Sequence, residues 1–64
     1  MRKNDKKVIA AVAAAAGLPE SGFFVELEGG FVLVNHPESM KWPEKWAAIE
    51  AAVWRVTGKR ASVT

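Results

Sequence analysis

One histidine, one aspartate and three serines are scattered through this 64-residue chain, as His36, Asp5, Ser21, Ser39 and Ser62. Nucleophilic catalysis needs a nucleophile, a base and a group that orients the base, all within hydrogen-bond reach. No spacing among these five residues assembles such a set. Glu26 and Glu28 stand two positions apart, so both point to one side of an extended segment. Used as an acid and base pair they would need a deep cleft, and a chain this short is too small to build one. "TGK" at 57–59 lacks the earlier glycine of a phosphate-binding loop and closes a helix instead of opening one. There is no cysteine, which excludes disulfides and thiolate metal sites, and a single histidine cannot supply a four-ligand zinc site. The expectation is a non-enzymatic protein with no metal, no cofactor and no small-molecule substrate.

Two other residue sets carry more information. The first is the three tryptophans, Trp42, Trp46 and Trp54, all within "WPEKWAAIEAAVW". At about 100° per residue, Trp46, Ile49, Val53 and Val56 form one apolar helical stripe. Trp46 is therefore expected in the core. Trp54 falls about 80° off Trp46, with Glu50 between them, so it is either a stripe edge or an exposed anchor. Trp42 lies near the line of the stripe, but as the residue before Pro43 it can turn away, and it carries the same two readings. Tryptophan is enriched at binding hot spots because it buries much area with few rotatable bonds.

The second set is the basic residues. Arg2, Lys3, Lys6 and Lys7 outweigh Asp5 at the start, and Arg55, Lys59 and Arg60 stand unopposed at the end. The middle, 8–54, is acidic, with six glutamates against Lys41 and Lys45, and the whole chain carries +2. Basic residues after a helix suit its negative end, which accounts for Lys59 and Arg60 as structure. Lys6 and Lys7 face the positive end of a helix and have no such account. All seven are candidate phosphate contacts.

The elements that position these residues follow from local patterns. "MRKNDKKVIAAVAAAAG" has the outline of a secretory signal peptide, but its apolar stretch is mostly alanine, and an alanine-rich helix is the preferred reading. The uncharged run 8–19 is shorter than the roughly 20 residues needed to span a bilayer. Asn4 or Asp5 caps this first helix, expected over 5–16, and Gly17 and Pro19 end it. Val8, Ile9, Val12 and Ala16 share its apolar face, and Ala10, Ala11 and Ala14 leave a small-residue back.

"FFVELEGGFVLV" predicts a β-hairpin with strands at 22–28 and 31–35, turning at Gly29-Gly30, which can supply positive φ angles. Phe23, Val25 and Leu27 share one face, and Phe24, Glu26 and Glu28 the other. With a two-residue loop, Val32 and Val34 join the first face, while Phe31 and Leu33 join Phe24. If Glu28 enters the loop, the faces of the second strand exchange. Pro37 can open a single helical turn after Asn35 or His36, and Pro43 opens a second helix over 43–57, closed by Gly58. The tail 61–64 is a candidate third strand.

Half the residues are hydrophobic and a quarter charged, a globular composition. The fold expected is a single α+β domain over 1–64, in the order helix–hairpin–helix. If connections are short, both basic ends gather beside the hairpin turn. One helical layer covers one hairpin face, so Phe24, Phe31 and Leu33, with Trp54 and Trp42, are the candidate protein-interaction residues. A chain of this size is marginal alone, and without disulfides or metal a partner subunit is the remaining staple. The function expected is a protein-interaction module (adaptor, inhibitor or accessory subunit) that self-associates, most simply as a homodimer, or docks on a larger partner. The alternative is a nucleic-acid binder using the basic ends. Absence of cysteine fits a reducing compartment, and a cytoplasmic protein with no membrane association is expected.

Overall fold

The computed structural model describes Arg2–Lys3, as backbone, and residues 5–64. The first helix, α1, spans Lys6–Ala16. Its N-cap is Asp5, whose carboxylate accepts from the backbone N–H of Lys7 at 3.0 Å and of Val8 at 3.2 Å. The other cap candidate, Asn4, lies outside the described residues. Gly17 ends the helix in the left-handed region at φ 69°, and Leu18 N–H returns to the Ala13 carbonyl at 3.0 Å. Lys45 adds a cation at this end, its Nζ 2.8 Å from the Ala16 carbonyl. The face buried is Val8, Val12, Ala13 and Ala16, with Ile9 packed at its margin.

Two strands precede and follow this helix. Arg2–Lys3 forms a short β1, and Phe24–Leu27 forms β2, which continues by hairpin into β3 at Phe31–Asn35. Leu27 pairs with Val32, and Glu28 N–H donates to the Phe31 carbonyl at 2.9 Å, so the loop is the two residues Gly29-Gly30. This is the first of the two registers considered: Val25, Val32 and Val34 are buried, while Phe24 and Phe31 are exposed. The turn chemistry differs from expectation. The glycines with positive φ are Gly17, Gly22 and Gly58, and neither hairpin glycine is among them. The turn is instead braced from outside, by Lys59 Nζ donating to the Glu28 carbonyl at 3.1 Å.

The long connection after β3 uses two short 3-10 turns, Ser39–Lys41 and Pro43–Lys45, with Trp42 between them. The helical turn expected from Pro37 starts two residues later, because His36 Nδ1 first accepts Glu38 N–H at 3.0 Å and makes a tight turn there. Pro43 opens its turn as expected, but the α-helix proper, α2, is Trp46–Thr57. Gly58 caps it at φ 71°, donating its N–H to the Trp54 carbonyl at 2.8 Å.

The candidate third strand is present as β4, Arg60–Val63, parallel to β3. Thr64 N–H donates to Val34 O, and His36 N–H to Thr64 O, extending that ladder. β3, α2 and β4 thus form a parallel crossover unit. The sheet order is β1-β2-β3-β4, with β1 antiparallel to β2, a pairing the sequence reading did not foresee. α1 and α2 pack against each other and bury Val8, Val12, Ile49 and Val53 against Val25, Val32 and Val34 of the sheet. The architecture is the α+β order expected, with helices on one side of the sheet.

Candidate interaction surfaces

The tryptophans divide differently from the reading by helical phase. Trp42 is 7% exposed and belongs to the core. Held at φ −140° and ψ 59° between the two 3-10 turns, it turns inward instead of away. Its ring meets His36 edge-on at 5.3 Å between centroids and tilts against Phe23 at 6.3 Å. Its Nε1 is buried and has no acceptor among the described residues. Of its two readings Trp42 therefore takes the buried one and is not an exposed anchor. Trp46, the first residue of α2, packs against the core but stays half-buried, with Nε1 donating to the Ser39 carbonyl at 3.0 Å.

Trp54 is 60% exposed. It lines a shallow groove of about 410 Å³ between the flank of α2 and the edge strand β4, with Ala47, Glu50, Ala51, Arg60 and Ala61. The alanines leave room beside the indole. Val56, expected in the buried stripe, is 42% exposed and lines the cleft where the end of α2 meets Leu27 of β2.

The open side of the sheet is the larger surface. Phe24 and Phe31 are each about 40% exposed there, with Leu33 half-buried between them. Glu26 pairs with Leu33 in register, and Arg60 with Phe31. Phe24, Phe31 and Leu33 thus share the open sheet face, and Trp54 is exposed on the flank of α2. Sequence reasoning missed Met40, which is 76% exposed in the first 3-10 turn, where no periodicity signals direction.

The basic residues gather only in part. The start of α1, the end of α2 and the hairpin end of β2 do meet, around a cleft lined by Asp5, Lys7, Val8, Leu27, Val56, Thr57 and Lys59. Lys59 is half-buried and its ammonium is held by the Glu28 carbonyl. Lys6, Lys7, Arg55 and Arg60 are exposed. The side chains of Arg2 and Lys3 lie outside the described residues. Asp5 and His36 are used as cap and turn residues, and Ser39 is buried in the connection.

Among the described residues no group of three or more His, Asp or Glu could hold a metal ion. No helix among them is long and apolar enough to cross a membrane. Comparison with protein families, with curated proteins and with solved structures returns no match.

Proposed function

We propose that this chain is a small non-enzymatic protein-interaction module, an adaptor, inhibitor or accessory subunit, that works by covering its open sheet face and Trp54 with a protein surface. The observation that carries the reading is the one-sided helical layer, which leaves Phe24 and Phe31 exposed on a face whose opposite side packs against the helices. Contiguous apolar groups rimmed by charge are how interaction sites on small proteins present themselves. A reducing compartment such as the cytoplasm suits a chain without cysteine. The test is capture from native host lysate by the wild type, by Leu33→Glu and by Trp54→Ala, with circular dichroism to verify folding. Loss of the captured proteins with either variant supports the reading, and identical recovery by all three refutes it.

Nucleic-acid binding is the second reading, favoured by the cleft that brings Lys7 to Lys59. It ranks lower for two reasons. Lys59 already serves the hairpin, and the aromatic face that could stack bases also carries Glu26 and Glu28. Those carboxylates repel a polyanion approaching that face.

A further inference from the structure

Beside β1, whose side chains lie outside the described residues, the open sheet face is organised in three columns. β2 supplies Phe24, Glu26 and, just past its end, Glu28. β3 supplies Phe31, Leu33 and Asn35, and β4 supplies Arg60, Ser62 and, past its end, Thr64. The registers set these at three levels: Glu28, Phe31 and Arg60 at the turn, Glu26, Leu33 and Ser62 in the middle, and Phe24, Asn35 and Thr64 at the far end. The far level is tied by Asn35 Nδ2 donating to Thr64 Oγ1 at 3.0 Å. Across these three strands the face carries acid on β2, apolar groups along β3 and a cation on β4, while β1, with Lys3 in register with Glu26, lies beyond β2.

This pattern is self-complementary for one kind of two-fold axis only. An axis running along β3, in front of the face, keeps each level and exchanges the flanks. Glu28 of one copy then lies over Arg60 of the other, twice over by symmetry, while Phe31 and Leu33 meet their own copies on the axis. An axis across the strands through the middle level would instead set β2 over β2, with Glu26 opposite Glu26 and Arg60 opposite Thr64. Either axis is compatible with aligned packing, about 10 Å apart with strand directions within about 30°, so the charges choose between them. Three strands at about 4.8 Å and five residues at about 3.4 Å give a footprint of roughly 14 by 17 Å. At about 240 Å² on each copy it is well below the roughly 800 Å² per partner of a standard interface, so the association expected is weak and transient.

We propose that the open face binds a second copy of this chain through a two-fold axis along β3, with reciprocal Glu28–Arg60 pairs at the turn end. The proposal rests on the interaction-module reading and names its partner.

The test uses Glu28→Arg and Arg60→Glu, alone and mixed, followed by sedimentation equilibrium. Each single variant places like charges opposite each other in its own dimer and weakens self-association by about tenfold. An equimolar mixture restores opposite charges at both pairs and associates at least as well as the wild type. Because the pairing is regained between separate chains, recovery also shows that each variant is folded. A wild type that self-associates but ignores both substitutions, or a mixture that stays dissociated, overturns the proposal. A wild type that is monomeric at high micromolar concentration, yet captures lysate proteins in a Leu33-dependent manner, overturns the second copy and leaves the module reading standing. A monomer that captures nothing overturns both.

Discussion

A Cβ atom added to Gly22 would lie 2.8 Å from Nε2 of His36, and Gly22 itself holds φ +95°. The imidazole is fixed from two further sides, edge-on against Phe23 at 4.6 Å and against Trp42 at 5.3 Å. It cannot move aside without disturbing the buried aromatic pair. Gly22→Ala is expected to destabilise the fold by about 2 kcal/mol or more, from backbone strain and overpacking together. In a His36→Ala background the steric part vanishes and the strain remains. A double-mutant cycle by thermal unfolding should therefore show the double variant less destabilised than the sum of the two singles, and strict additivity would rule out the contact as the cause.

The tryptophan substitutions should rank by burial. Trp42→Ala removes a core ring and is expected to cost about 3–5 kcal/mol, enough to unfold a domain of this size. Trp42→Phe keeps much of the packing and deletes an indole N–H that has no acceptor among the described residues, so it should cost far less. Trp46→Ala falls between, losing a half-buried ring and its bond to Ser39. Trp54→Ala should change stability by no more than about 0.5 kcal/mol, as for other exposed sites. Melting curves of the four variants check the order.

Asp5→Ala should cost about 1 kcal/mol by leaving the first N–H groups of α1 without their cap. Asp5→Asn, which keeps a side-chain oxygen, should recover most of that. For a domain of this size, each kcal/mol corresponds to a melting shift of about 4–8 °C.

Lys6→Gln with Lys7→Gln tests the polyanion reading. If nucleic acid is bound, log affinity should fall with log salt by about 0.7–0.9 per phosphate contact, and this double variant should flatten that slope. For a protein-interaction module the wild type shows no such binding at physiological salt, and the double variant leaves self-association unchanged. Filter binding across a salt series separates the two.

Much of this architecture is legible in the sequence where a local rule decides it. Asp5, the alanines and Gly17 bound α1 because capping and propensity act within a few residues. The Gly29-Gly30 pair gives the hairpin its place, and alternation then sends Phe24, Phe31 and Leu33 to one side. What was not legible depends on contacts distant in sequence. β1 is two basic residues with no strand signal of their own, and it exists by pairing with β2. The inward turn of Trp42 follows from the two 3-10 turns around it, and a helical wheel has no term for them. Lys59 reads from sequence as a cation suited to the negative end of a helix, and its bond to the Glu28 carbonyl becomes visible only once β4 is placed.

The parallel pairing of β3 with β4 has a kinetic consequence. Phe31 meets Arg60 only after both 3-10 turns and α2 have been drawn into a closed loop. Such closure costs chain entropy before any contact rewards it. The hairpin rests on nearer neighbours and can assemble earlier, so β4 joins it after α2 has formed. A substitution there, such as Val63→Ala, should leave the refolding rate nearly unchanged and appear almost wholly as faster unfolding. The lifetime of the native state is then governed by its last strand.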